Sequence, residues 1–162
     1  MTLRVGGCQI TTGRTTVKKN NRANFKCDDV GARLRLNFGD RLALIEKIRT
    51  GLRVGIIDDL ARLLGLSTQR VRLALAISPL KLARRKSKGR LHKSESDHVV
   101  RIALILNVAT HLYSGDVSRA AMWICRPNRA LAGAAPLDFV DTAPGYQEVC
   151  DLIGRIEHGV YS

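Results

Sequence analysis

Apolar residues recur at three- and four-residue intervals along most of the chain, and most runs close on a residue suited to ending a helix. Leu42, Ile45, Ile48 and Leu52 set the first run, with Gly51 placed to stop it. Ile56, Leu60, Leu63 and Leu64 repeat the spacing up to Gly65. Ser67 then opens a third helix, with Val71, Ala74 and Leu75 inward and an end near Ile77. Ser78-Pro79 predicts a fourth start, a capping hydroxyl followed by proline at the first helical position, and that helix runs to Gly89. The fifth, over residues 94–113, is long and apolar on most faces, which predicts the central core helix. Val117, Ala120, Ala121 and Ile124 give a sixth stripe that stops at Arg126-Pro127. A small-residue loop over 130–135 leads to a short turn at 136–140. Thr142 is placed to cap a last helix beginning at Pro144, with Tyr146, Val149, Cys150, Ile153 and Ile156 inward and Gly159 at its end.

The start of the chain reads differently. Val30, Ala32, Leu34, Leu36 and Phe38 alternate with polar positions such as Arg33 and Arg35, which predicts one short strand that needs a partner, such as its copy in a second subunit. Residues 1–29 are polar and basic without a sustained period, and read as a mobile arm or an over-long start to the reading frame. The predicted architecture is all-α: a basic arm over 1–39, a helix-turn-helix-containing bundle over 40–113 and a small helical domain over 114–162.

Charge sharpens that division. The 162 residues carry a formal net charge of +13. Residues 1–93 hold 22 basic and 6 acidic side chains, whereas residues 94–162 hold 5 and 8, so a basic front joins a faintly acidic back. Two jobs on one chain are expected. The N-terminus lacks the apolar core of a signal peptide. The most apolar stretch, over 99–113, is interrupted by Arg101, Asn107 and His111 and is too short to span a membrane. Cys8, Cys27, Cys125 and Cys150 form no CxxC pair and no metal-like spacing with the histidines, which predicts reduced thiols, no cofactor and a cytoplasmic protein.

Lys81, Arg84, Arg85, Lys86, Lys88 and Arg90 place six cations within ten residues, on and just beyond the second helix of a tightly connected pair. Duplex DNA recognition uses such a pair, with the second helix in the major groove and flanking cations on phosphates. A solvated basic surface is the plainer alternative. With 4% aromatic residues, stacking on single strands is not expected. No catalytic constellation is visible: Glu95, Asp97 and His98 are too close along one helix to converge, and the two carboxylates are better used in its first turn. Trp123 and Pro127 read as core and turn residues.

The segment Arg90-Leu91-His92-Lys93-Ser94-Glu95-Ser96-Asp97-His98-Val99-Val100-Arg101-Ile102-Ala103 resembles the signature of the Xre/MbcA/ParS antitoxin family. Trp123, Pro127-Asn128, Ala130-Leu131, Gly133, Pro136-Leu137, Asp141-Thr142, Gly145, Val149 and the run from Arg155 to Ser162 agree in order with the family's toxin-binding domain. The likeness covers roughly residues 40–162. Two positions depart from it: Lys81 stands where the family usually has threonine, and His98 where it usually has arginine.

The resemblance implies an antitoxin of a type II pair, not an enzyme. Its partner would be a RES-domain toxin that consumes NAD. The C-terminal end would enter the toxin's NAD pocket through Arg155, Ile156, Gly159, Val160, Tyr161 and Ser162, with the terminal carboxylate in an anion site. A homodimer bound to operator duplex DNA, repressing its own operon, is expected alongside. A plain helix-turn-helix regulator with a C-terminal oligomerisation domain is the alternative.

Overall fold

Val30 and Leu34 decide how the chain begins in the computed structural model, which describes residues 29–159. Both are 1% exposed, and a four-residue spacing suits one face of a helix as well as alternate positions of a strand. The chain forms helix α1 (Asp29–Leu34) there, not the expected strand. Arg35 ends it in a left-handed conformation (φ 56°). The Arg35 N–H then donates to Ala32 O (3.1 Å) and the Leu36 N–H to Gly31 O (2.8 Å), a paired closure of a helix C-terminus. Leu36 is buried as well, so the alternation is the imprint of a helix plus its cap. Of the arm expected over residues 1–39, residues 1–28 lie outside the described residues, and the remainder forms α1 and the turn after it.

Local chemistry sets the remaining boundaries. The Asp40 side chain accepts from Ala43 N and opens α2 (Arg41–Thr50). That helix buries Leu44 and leaves Leu42 and Ile45 exposed, so its apolar run is wider than its buried face. Helix α3 (Ile56–Leu64) buries Ile56, Ile57, Leu60, Ala61 and Leu64 and stops where Gly65 turns left-handed. There follow α4 (Thr68–Ala74), α5 (Pro79–Lys88), α6 (Lys93–Leu112), α7 (Val117–Cys125), a 3-10 turn (Arg129–Leu131), α8 (Pro136–Phe139) and α9 (Ala143–Glu157). No strand occurs among the described residues, and the fold is all-α.

Helix α6 is central. It packs on α1, α2, α7 and α9, while α3 packs on α1, α4 and α7, and α8 sits between α7 and α9. The buried apolar side chains form one cluster running from Val30 to Ile153. A further tie crosses the molecule: Arg70 on α4 donates to both Asp138 oxygens on α8, each at 2.7 Å. No helix among the described residues is long and apolar enough to cross a membrane.

Candidate DNA- and toxin-binding surfaces

The α4–α5 connection is held from both sides. The Ser67 hydroxyl caps α4 by accepting from Arg70 N, and the Ser78 hydroxyl caps α5 by accepting from Lys81 N. Between them Ala76 is left-handed (φ 52°), which lets the Ile77 N–H reach Arg72 O at 3.1 Å. The Arg72 guanidinium donates back to Ile77 O at 2.6 Å, and Ile77 is buried. Such a turn fixes the angle at which α5 leaves the body. Helix α5 buries no residue fully and meets the core only through half-buried Leu82.

Its cations divide into two sets. Lys81, Arg84 and Lys88 follow an i, i+3, i+7 spacing, share one stripe, and are exposed. Lys86 is exposed too. Arg85 instead turns back, its Nε donating to Glu95 Oε2 at 2.8 Å, with the two side chains 22% and 11% exposed. The Arg90 guanidinium donates to Gly51 O at 2.9 Å. These two hold α5 in place while adding charge behind the stripe.

The segment that carries the family likeness is where this anchoring happens. Glu95 Oε2 also accepts from His92 N (2.7 Å), closing the first turn of α6. Burial pushes the Glu95 carboxyl up, but Arg85 and the His92 amide outweigh it and hold it below the ordinary range. The buried Ser96 hydroxyl accepts from Leu52 N and donates to His92 O, both at 2.9 Å. Leu91 N donates to Leu52 O (2.8 Å) and Val54 N to Gly89 O (3.2 Å), so the residues after α2 are laced to those after α5. Gly51 has φ 84°, and a Cβ there would lie 2.3 Å from Leu91 O. Only glycine fits that crossing. Sequence reasoning gave Glu95 a place in the first turn but did not foresee Ser96, whose partner lies 44 residues away.

His98 is 8% exposed, and its Nε2 has no hydrogen-bond partner among the described residues. Burial, aided by Arg101, pushes its pKa down against the pull of Asp141 and Asp97.

In the C-terminal half, α7 buries Ala120, Ala121 and Ile124. The loop after it closes on Asn128, whose side chain accepts from Ala130 N and whose carbonyl accepts from Gly133 N. Trp123 is only half core: it is partly exposed and lines a surface cleft with Pro127. Thr142 caps α9 through Gly145 N. Gly145 lets α8 and α9 close up, since a Cβ there would meet Phe139 O at 1.9 Å. Cys125 and Cys150 are free thiols that burial pushes up. No group of metal-ligating side chains occurs among the described residues.

Of the residues expected to meet a toxin, Arg155 donates to Glu148 Oε1 (3.1 Å), Ile156 packs half-buried on the core, and Gly159 is left-handed (φ 68°) and exposed. Val160, Tyr161 and Ser162 lie outside the described residues.

Residues 43–104 match the family described as the antitoxin Xre-like helix-turn-helix domain, and residues 108–159 match the antitoxin Xre/MbcA/ParS C-terminal toxin-binding domain. A curated protein of Yersinia enterocolitica called antitoxin Xre is 33% identical over 120 residues, covering 74% of this chain and 81% of its own. The chain belongs to the Xre/MbcA/ParS antitoxin family. A second antitoxin Xre, from Photorhabdus laumondii, is 40% identical over 75 residues, 46% of this chain and 51% of the relative. The family is one of antitoxins and not of enzymes. In this antitoxin the α4–α5 pair falls inside the helix-turn-helix match, and α7, α8 and α9 fall inside the toxin-binding match.

Proposed function

We propose that this type II antitoxin silences a RES-domain toxin by setting its C-terminal end against the toxin's NAD pocket, and that it represses its own operon as a homodimer on duplex DNA in the cytoplasm. The observation that carries the reading is the pairing, on one chain, of an exposed cation stripe on α5, inside the helix-turn-helix match, with a toxin-binding domain. Lys81, Arg84 and Lys88, all exposed, would meet phosphates or base edges, with Lys86 beside them. Arg85 and Arg90 act mainly by holding the helix. Arg155, Ile156 and Gly159 lead into Val160, Tyr161 and Ser162, and a buried aromatic anchor such as Tyr161 can contribute about 2 kcal/mol or more to a protein interface.

Deleting Gly159 to Ser162 and co-expressing the chain with its cognate toxin tests the inhibitory half. Growth arrest and falling cellular NAD are expected, because among the described residues the buried core ends at Ile153, with Ile156 packed against it, ahead of this segment. Normal growth with steady NAD would place inhibition elsewhere in the domain. For the DNA half, the double substitution Arg84→Ala/Lys88→Ala should weaken operator binding and flatten its salt dependence by about two phosphate contacts. An unchanged mobility-shift titration would remove α5 from the interface.

A further inference from the structure

One surface of the C-terminal half has no place in that scheme. Tyr113 at the end of α6, Arg119, Met122 and Trp123 on α7, and Arg126-Pro127 beyond it line an open cleft of about 300 Å3. Met122 is 49% exposed. Trp123 and Tyr113 rest one side on the core and leave the other uncovered. Helix α7 buries Ala120, Ala121 and Ile124, so the core accounts neither for exposed Met122 nor for the uncovered side of Trp123.

The charge of the cleft runs against its surroundings. Residues 94–162 carry more acid than base, yet two of their five cations meet here. Arg101 and Arg155 are tied to Asp97 and Glu148. The Arg119 side chain is 69% exposed and stands 3.5 Å from Asp116, while Arg126 is exposed and has no ion pair among the described residues. Trp, Tyr, Met and Arg are the residue types that interface centres favour, and an aromatic wall flanked by two exposed guanidinium groups suits an apolar anchor carried on an acidic segment.

We infer that this cleft is a docking site for an acidic, apolar-anchored segment of the toxin, used in addition to the C-terminal end. It rests on the antitoxin reading above and falls inside the toxin-binding match. Two contacts would then divide the work: the cleft supplies affinity and the chain end supplies inhibition.

Trp123 is the one tryptophan of the chain, so growth on 5-fluorotryptophan gives a single fluorine resonance at the site. Adding the unlabelled cognate toxin should shift that resonance at stoichiometric toxin. Arg119→Glu/Arg126→Glu, two exposed positions, should weaken the complex about ten-fold or more and reduce its salt dependence, with circular dichroism unchanged. The chain lacking Gly159 to Ser162 should still shift the resonance while failing to inhibit, which separates the two contacts. A complex that forms with the resonance unmoved, or a charge-reversed chain that binds as tightly as the parent, overturns the docking site and leaves the antitoxin reading standing. Failure of the parent chain to bind the toxin at all overturns both.

Discussion

His98 shows what a single buried side chain imposes. With burial holding its pKa below the ordinary value of 6.5, the folded chain keeps it neutral where the unfolded chain takes up a proton. The stability it allows is therefore complete above about pH 6.5 and is lost as pH falls through the lowered folded pKa. Urea unfolding between about pH 7 and about pH 5 should show stability declining by up to about 1.4 kcal/mol per pH unit from this residue. His98→Leu should flatten that decline; an equally steep curve in the variant would assign it to another group. The residue scale is also where the sequence is least legible. Arg84 and Arg85 are neighbours of one type, yet one faces solvent and the other closes on Glu95, and nothing in the letters separates them. Ser96 is equally mute, because its role depends on a backbone amide brought to it by the fold.

Helix ends were far more readable, because their chemistry is local. Ser67, Ser78 and Thr142 accept from backbone amides three residues on, and Gly65 and Gly89 take left-handed conformations at the stops expected of them. The misread strand has an equally local cause: positions 30 and 34 satisfy both periods, and Leu36 belongs to a cap. The same closure ends α4, where Ala76 stands in the left-handed conformation that glycine adopts at the end of α3. A Cβ in that conformation costs about 1–2 kcal/mol, partly offset by the entropy glycine loses on folding. Ala76→Gly should therefore raise stability by about 0.5–1 kcal/mol and the thermal midpoint by about 1–4 °C. A lowered midpoint would mean that the turn depends on the Ala76 methyl group.

Across the whole molecule, the two segments read from charge and pattern share one interior. Helix α7 packs on α3 and α6, and Arg70 reaches Asp138 across the divide. A fragment ending at residue 113 would leave the α3 and α6 faces bare. It should unfold without a cooperative transition, whereas the full chain should unfold in one step by circular dichroism and by fluorescence alike; a fragment with its own sharp transition would show a separable unit. Charge asymmetry made the division of labour visible in the sequence, but the shared interior was hidden, since α3 and α7 are amphipathic stripes whose partners no periodicity names. For lineages that trade partners, the α3–α7 seam sets a rule of inheritance. A new toxin specificity spliced in at residue 113 would arrive with an α7 shaped for another α3, and the hybrid would lose its fold before its specificity could be selected. Recombination that succeeds should carry the facing surfaces together, so toxin preference and operator preference tend to be inherited as one piece.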